Sequence, residues 1–236
     1  MLAKEIINEL KILATEERKK TNEWFFKTEK GSYGYGDIFI GVTVPDIRKI
    51  SKKFSSIISL SETKKLIQSP IHEVRLCALI ILVNQYKNDN PDEIFDFYIQ
   101  NISFVNNWDL VDTSAPYITG DYFYRNTKKR GMLFEFSKSE NLWIRRISII
   151  STFYFIRKNE FNETLEIAKT LINDEQDLIH KAVGWMLREV FKRDKELVKT
   201  FLRNNYDQLP RVMLRYAIEK MDKIERVQYL KGNFSP

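Results

Sequence analysis

The chain has 236 residues, of which 43% are hydrophobic, and its 38 lysines and arginines against 32 aspartates and glutamates give a net charge of +6. This length and apolar content predict one domain over residues 1–236, since no long polar stretch separates two parts. The longest apolar run, residues 76–83, is far shorter than the roughly 20 residues of a membrane-spanning helix. Residues 1–10 lack a secretory pattern. We therefore expect a soluble, intracellular protein.

Cysteine and histidine are rare in the sequence. Cys77 is the single cysteine, which excludes an internal disulfide, and its place in an apolar run predicts a buried structural thiol. The two histidines, His72 and His180, are far apart and have no histidine or cysteine nearby. We therefore expect no metal site and no other cofactor.

The first 44 residues fall into two regions. Residues 1–29 keep apolar residues at helical spacing and include three consecutive aromatic residues at 24–26, which predicts one or two amphipathic helices with these rings in the packing. Residues 30–44 hold half of the eight glycines among large apolar residues, which indicates an ordered loop. This loop lacks the Gly-Lys-Ser/Thr ending of a nucleotide-binding loop, so we expect no phosphate site there.

The remaining sequence predicts helix after helix. Proline and aspartate suit the first turn of a helix that begins at residues 43–45, and this helix has a basic side that includes Arg48. Serine caps a short helix that ends near Gln68, and Pro70 precedes a helix over residues 72–88. Further on, short breaks separate helical stretches, and no stretch alternates with period two. The prediction is an all-α fold.

Short segments of the sequence resemble one another at multiples of 35 residues: residues 74–78, 144–148, 179–183 and 214–218. A unit of this length accommodates two helices, and such pairs bury their apolar faces by stacking on their neighbours. We therefore predict a superhelical solenoid of HEAT-like (ARM/HEAT) helical repeats with a concave DNA-binding groove. The second residue of each segment would contribute to a basic stripe that suits duplex DNA. These residues are Arg75, Arg145, His180 and Arg215.

Asp112 departs from the repeat pattern. At steps of 35 residues it is in register with small or apolar residues, namely Cys77, Ile147, Ala182 and Ala217. Trp108 lies four residues earlier, so in a helix an indole and a carboxylate share one face. Two later helices pair a tryptophan with an arginine three residues on, Trp143 with Arg146 and Trp185 with Arg188. This pattern predicts an aromatic and cationic wall around Asp112. In the alternative, Asp112 and Arg146 form an internal ion pair without catalysis.

The same residues resemble the signature of a known family. Residues 108–112, 141–146 and 181–189 are similar to three signature blocks of the AlkD-type DNA alkylation-repair glycosylases, and residues 31–48 are similar to the glycine-rich segment before them. This resemblance extends over nearly the whole chain. It implies a HEAT-like solenoid that wraps duplex DNA. It further implies hydrolysis of the N-glycosidic bond of cationic alkylated purines, such as 3-methyladenine and 7-methylguanine, without a base-flipping pocket.

The resemblance also implies roles for individual residues. The family's catalytic aspartate corresponds to Asp112, and its two sugar-contacting tryptophans correspond to Trp108 and Trp185. Its active-site arginine corresponds to Arg146, with Arg145 as the alternative.

The DNA-binding residues are assigned in the same way. Among the three consecutive N-terminal aromatic residues, Phe25 corresponds best to the family's DNA-contacting ring, although Trp24 and Phe26 compete for this place. The other DNA-binding residues that we predict are Arg188, Arg145, Arg48 and Lys181. We expect a monomer of the bacterial cytosol or nucleoid that acts on double-stranded DNA without a metal, a cofactor or a membrane.

The implied chemistry needs few side chains. An alkylated purine with a formal positive charge leaves as a neutral base, so no general acid is required, unlike the carboxylate pair of a glycoside hydrolase. Asp112 alone can stabilise the positive charge that develops on the deoxyribose and orient the attacking water. The open alternatives are a non-catalytic helical-repeat module that binds DNA and one that binds a protein partner.

Overall fold

Helices account for the architecture of residues 1–88 and 90–234, which are the residues that the structure, a computed structural model, describes. These ranges contain no β-strand, and one isolated parallel bridge joins Ile38 to Ile71. The predicted all-α fold is confirmed. The α-helices within the described ranges are α1 (Leu2–Ile12), α2 (Glu16–Phe25), α3 (Val44–Phe54), α4 (Leu60–Ile67), α5 (His72–Asn88), α6 (Pro91–Gln100), α7 (Trp108–Ser114), α8 (Thr119–Arg125), α9 (Gly131–Ser137), α10 (Leu142–Arg157), α11 (Asn162–Thr170), α12 (Asp177–Phe191), α13 (Lys195–Asn204), α14 (Arg211–Ala217) and α15 (Lys223–Lys231). Short 3-10 helices cover Ile102–Phe104, Thr127–Lys129 and Tyr206–Gln208.

The helices belong to two compact units. The first unit is Met1–Ser114 and contains α1 to α7, and the second begins at Ala115 and contains α8 to α15. Our prediction of one domain over residues 1–236 stays a prediction. Among the helices of the described residues, none combines the length and the apolar character needed to cross a bilayer.

The first unit is organised around α5. This helix is apolar on nearly all sides, and such a helix is stable only when other elements surround it. Most of its residues are buried, and α3, α4, α6 and α7 pack against it. Cys77 lies there fully buried, with its sulfur 3.2 Å from the hydroxyl of Ser51. The predicted buried thiol is confirmed, and burial raises the pKa of Cys77 to about 11.

Local signals at α3 and α4 act as the sequence predicts. The Thr43 hydroxyl accepts a hydrogen bond from the backbone N–H of Asp46 and caps α3, which has proline in its first turn. Ser59 caps α4 in the same way. Arg48 is exposed on α3, while its neighbour Ile47 is buried. These helix starts are confirmed because caps depend on residues only a few positions apart.

The three aromatic residues at the end of α2 do not all pack inside, so this expectation is wrong for two of them. Trp24 is 80% exposed and Phe25 is 54% exposed, whereas Phe26 is 9% exposed. Successive residues of a helix point in directions about 100° apart. Only one of three consecutive rings can therefore face the core of the first unit.

In the second unit, α12 packs against α10 and α14. Gly184 allows the close approach of α12 and α14. A Cβ at this glycine would lie 2.5 Å from the backbone oxygen of Met213 and 2.5 Å from the Cβ of Tyr216. The glycine in the block of residues 181–189 therefore has a packing role within this unit.

The repeat segments recur at equivalent places in helices. They lie in α5, α10 and α12 and at the end of α14. The side chains in register with Asp112 are all fully buried: Cys77, Ile147, Ala182 and Ala217. Asp112 itself is partly exposed in α7. The predicted contrast between packing positions and one carboxylate at this register is confirmed.

The predicted basic stripe is wrong for Arg75. This side chain is 4% exposed and forms an ion pair with Asp37, and it donates a hydrogen bond to the backbone oxygen of Ser69 at 3.0 Å. A buried guanidinium with these partners cannot reach a phosphate. The cause is the glycine-rich loop, which places an acid opposite the first repeat segment and turns a surface position into an internal one.

Candidate functional site

One buried carboxylate fixes the glycine-rich loop of residues 30–44 to α5. Glu73 is 2% exposed and accepts hydrogen bonds of 2.8–3.4 Å from the backbone N–H groups of Ile40, Gly41 and Val42 and from the side chain of Asn22. Gly41 has a positive φ of 87°, and a Cβ there would lie 2.1 Å from a backbone oxygen at the start of α2. Only glycine fits this position. The predicted ordered loop is confirmed.

A buried network of charges links this loop to the start of α7. His72, the first residue of α5, has Nδ1 3.1 Å from Oδ2 of Asp37 and Nε2 2.8 Å from Oδ2 of Asp109. Asp37 belongs to the loop and Asp109 is the second residue of α7. Arg75 forms an ion pair with Asp37, and the Asn107 amide donates to Asp37 at 2.8 Å. Loop, α5 and α7 are therefore joined through one set of side chains.

Opposite charges balance in this network. Burial alone would lower the pKa of His72, but the charges of Asp109 and Asp37 and the hydrogen bonds to them raise it to about 9. Burial would raise the pKa of Asp37, but the hydrogen bond to His72 and the charge of Arg75 outweigh this effect and lower it. The imidazolium and guanidinium thus offset two carboxylates whose side chains are 7% and 13% exposed.

Stacked rings hold the side chain of Trp108. Its indole stacks on Phe26 at a centroid distance of 5.3 Å, and Phe26 stacks on Phe39 at 4.9 Å. Phe39 in turn stacks on the imidazole of His72 at 4.5 Å. Phe25 meets the indole edge-on at 5.8 Å. The orientation of Trp108 therefore depends on rings from α2 and from the glycine-rich loop.

A cavity of about 330 Å³ lies beside these rings, within the first unit. Phe25, Phe26 and Trp108 contribute aromatic surface to its wall, and Arg18 and Asp109 contribute charged groups. A mainly apolar wall with a few polar groups is typical of binding sites.

The helix α7 carries Trp108 and Asp112. Trp108 is its first residue, and its backbone N–H donates to the side-chain oxygen of Asn107 at 2.8 Å. Asp112 follows one turn later, and both side chains are partly exposed. Two side-chain contacts fix the start of α7. Asn107 donates a hydrogen bond to Asp37, and Asp109 contacts His72.

Two predicted active-site residues lie in the second unit. Arg146 in α10 is 5% exposed and donates to the backbone oxygen of Leu178 at 2.6 Å. Trp185 in α12 is partly exposed, and its indole N–H donates to Glu189 at 3.3 Å. The Trp185 ring lies 5.9 Å from that of Phe153. The catalytic roles of Arg146 and Trp185 stay predictions.

The predicted DNA-binding cations of the second unit each contact an acid. The partners are Glu219 for Arg188, Asp174 for Arg145 and Asp177 for Lys181. Phosphate groups would therefore have to compete with these carboxylates for the cations. In the first unit, Arg48 is exposed on α3, and Phe25 is exposed while it contacts Trp108. Phe25 and Trp108 are thus two predicted site residues that the structure brings into contact.

The sequence pattern does not predict the network around His72. We expected only that this histidine would not bind a metal, because no partner lies near it in sequence. The available signal was that Asp37 lies in the glycine-rich segment and Asp109 in a signature block, both of which carry the family resemblance. Their connection through His72 could be seen only once the loop was placed against α5.

Comparisons with known proteins agree with this architecture. The family model described as DNA alkylation repair enzyme matches residues 6–221. A sequence search of curated proteins gives no significant match. A solved structure described as a predicted DNA alkylation repair enzyme from Enterococcus faecalis is similar to the chain, with a TM-score of 0.72, 19% identity, and coverage of 89% of this chain and 97% of that one.

Two structures from Streptococcus mutans are also similar. AlkD2 has a TM-score of 0.57 and 19% identity, with 88% of this chain and 99% of that chain covered. The protein smu.31 from strain UA159 has a TM-score of 0.55 and 21% identity, with 94% and 100% covered. At these identities the likeness shows the fold, which is the HEAT-like helical-repeat class of the AlkD-type proteins. The family match indicates a role in DNA alkylation repair, and hence DNA binding. Because the family model covers most of its length, the chain belongs to the DNA alkylation repair enzyme family.

Proposed function

We propose that this DNA alkylation repair protein is a DNA glycosylase. It would hydrolyse the N-glycosidic bond of positively charged alkylated purines, such as 3-methyladenine and 7-methylguanine, in duplex DNA without flipping the base into a pocket. The observation that carries this proposal is the exposed face of α7. Asp112 is partly exposed at a register where the other repeat segments hold fully buried side chains, and it lies one turn from Trp108.

The reaction has a simple charge balance. When the bond between C1′ and the purine nitrogen breaks, its electron pair neutralises the cationic base, which leaves without a proton. Positive charge then develops on the deoxyribose, where the Asp112 carboxylate stabilises it and orients a water molecule for attack at C1′. As the new C–O bond forms, the water gives its proton to the Asp112 carboxylate, which then releases it to solvent. Acceleration depends on the lability of the lesion, so neutral bases would be poor substrates.

Aromatic and cationic residues would assist Asp112. Trp108 and Trp185 can each add a cation–π attraction of about 0.5–2 kcal/mol to the developing charge. Trp108 suits this role because stacking on Phe26 holds its indole in place before DNA binds. We also propose a catalytic role for Arg146.

Contacts with the DNA backbone would come from the predicted binding residues, Arg188, Arg145, Arg48, Lys181 and Phe25. Charge-assisted bonds to phosphate suit the arginines and the lysine. The protein would act as a monomer in the bacterial cytosol or nucleoid.

The direct test is release of free bases from methylated duplex DNA, identified by chromatography. The wild-type protein should release 7-methylguanine and 3-methyladenine but no base from DNA that carries uracil or hypoxanthine. Asp112→Asn should lower the single-turnover rate by about 100-fold or more and leave DNA binding intact. The matched control is Asp96→Asn, which makes the same change at an exposed aspartate of α6.

Three results would contradict the proposal. Equal release of cationic and neutral bases would refute the argument from the charge of the leaving group. Unchanged release by Asp112→Asn would remove this residue from catalysis. A wild-type protein that binds duplex DNA but releases no base would instead be the non-catalytic module that the sequence left open.

A further inference from the structure

We propose that His72 is a positioning residue: as an imidazolium it ties the glycine-rich loop to α7 and thereby fixes the face that presents Trp108 and Asp112. Its effect on base excision rests on the proposed function, whereas its effect on the geometry of α7 does not. His72 itself is buried, with 2% of its side chain exposed. It acts through Asp109 and through rings, and not by touching DNA.

Hydrogen-bond chemistry specifies the charge of His72. Its two ring nitrogens each lie within hydrogen-bond distance of a carboxylate oxygen, at 3.1 Å for Asp37 and 2.8 Å for Asp109. A neutral imidazole has one donor nitrogen and one acceptor nitrogen, so one of these contacts would bring two acceptors together. Only the doubly protonated ring donates to both carboxylates. With carboxylates at both ring nitrogens, the geometry therefore favours the cation.

The charged groups around the ring lead to the same conclusion. Asp37 of the loop and Asp109 of α7 face the two nitrogens, and Arg75 of α5 neutralises one of these acids. Glu73, also on α5, is occupied by backbone N–H groups of the loop. Arg18 of α2 contributes to the wall of the cavity. Without the charge of His72, the aspartate of α7 would lose its cationic partner inside this network, at a substantial cost.

Two connections lead from His72 to the proposed catalytic face. The polar connection runs through Asp109, which is adjacent to Trp108 and three residues before Asp112 in the same helix. The aromatic connection runs from the imidazole through Phe39 and Phe26 to the indole of Trp108. A change at His72 should therefore move Trp108 even though no atom of His72 is part of the proposed chemistry.

The charge of His72 can be measured directly, because the chain has only two histidines. In a protein labelled with 15N-histidine, His180→Gln assigns the signals of the two rings. We expect both ring nitrogens of His72 to carry protons near neutral pH. A spectrum of a neutral ring would overturn the proposal.

The position of Trp108 can be followed by 19F NMR with fluorotryptophan, since the chain has four tryptophans and Trp108→Phe assigns the signal. We expect His72→Gln to shift or split the Trp108 signal. The matched control is Gln85→Ala, which removes another buried polar side chain of α5 that donates to backbone oxygens of Ser55 and Ile58. This control should leave the Trp108 signal in place. An unshifted signal in folded His72→Gln would overturn the proposal.

Kinetics supply the third measurement. His72→Gln should slow single-turnover release of 7-methylguanine about tenfold, while the Kd for unmodified duplex changes by less than about twofold. If Gln85→Ala is destabilised as much as His72→Gln and loses the same rate, then excision depends only on the stability of the first unit, and the positioning role of His72 is contradicted.

If His72→Gln does not fold, Asp109→Asn interrupts the polar connection with a smaller change and should give the same pattern. If the wild-type protein releases no base, the proposed function fails, and the two NMR measurements still decide the role of His72.

Discussion

The indole of Trp108 lies nearly parallel to the ring of Phe26, with centroids 5.3 Å apart and planes inclined by 16°. Phe26 is 9% exposed, whereas Trp108 is partly exposed. A buried ring thus supports a surface ring. This arrangement predicts that the stability of the first unit and the activity of Trp108 depend on the same residue.

Phe26 can be used to separate these two effects. Phe26→Ala should lower the free energy of unfolding by about 3–5 kcal/mol, because it leaves a cavity under Trp108. Phe26→Leu keeps most of the volume and should cost less than about 2 kcal/mol. Because a leucine gives the indole no ring to stack on, we expect this variant to excise 7-methylguanine more slowly than wild type. Urea denaturation measures the free energy of unfolding, and single-turnover assays measure the excision rate. A wild-type excision rate in Phe26→Leu would contradict the role of Phe26 in supporting Trp108.

The network around His72 predicts how stability depends on pH. The folded protein raises the pKa of His72 from 6.5 to about 9. The stabilisation from protonated His72 is therefore fully present below pH 6.5 and is lost as the pH rises through 9. A shift of this size corresponds to about 3 kcal/mol. The difference in unfolding free energy between wild type and His72→Gln should shrink by this order between about pH 6 and about pH 10; a constant difference would contradict the prediction.

Gly184 provides a test of packing in the second unit. Gly184→Ala places a methyl group 2.5 Å from a backbone oxygen of α14, so α12 and α14 must move apart. We expect a loss of about 1–3 kcal/mol. Gly131→Ala is the matched control, because a Cβ at that helical glycine meets nothing within 4 Å. This control should be neutral or slightly stabilising. Thermal unfolding of both variants measures the difference, and equal effects would contradict the packing role of Gly184.

The ion pair between Arg188 and Glu219 predicts opposite effects of its two partners on DNA binding. Arg188 donates to the carboxylate of Glu219 in the DNA-free protein, so a phosphate must displace this acid. Arg188→Ala should weaken binding to duplex DNA and reduce the slope of log K against log salt by about one. Glu219→Gln should strengthen binding, because the arginine becomes available. The two changes together should resemble Arg188→Ala. Tighter binding in the double variant would show that Glu219 repels DNA independently of Arg188.

Local signals explain what the sequence predicts correctly. The helix predicted over residues 72–88 has these bounds in the structure, because Pro70 precedes its start and an apolar run forms its middle. The cap at Thr43 and the buried Cys77 are of the same kind. The 35-residue repeat located the exceptional position of Asp112 without any knowledge of contacts. Each of these inferences uses residues that are close in sequence or related by a fixed period.

The rest of the site depends on contacts that no period predicts. His72 reaches Asp37 across 35 residues and Asp109 across 37. These contacts exist because Glu73 holds the glycine-rich loop against α5. The course of this loop cannot be predicted from the pattern of side chains. The same loop converts Arg75 from a predicted surface cation into a buried one. Irregular segments have no periodicity, so their partners could be identified only from the structure.

The burial of Cys77 determines how the protein can be labelled chemically. The thiol is fully buried, its pKa is raised to about 11, and the sequence contains no second sulfhydryl. Maleimide should therefore react with Cys77 only when transient unfolding exposes α5. The labelling rate would then measure how often the first unit opens locally. A cysteine engineered at the surface could then be modified selectively in the native protein, which makes fluorescent attachment possible without first removing the natural residue.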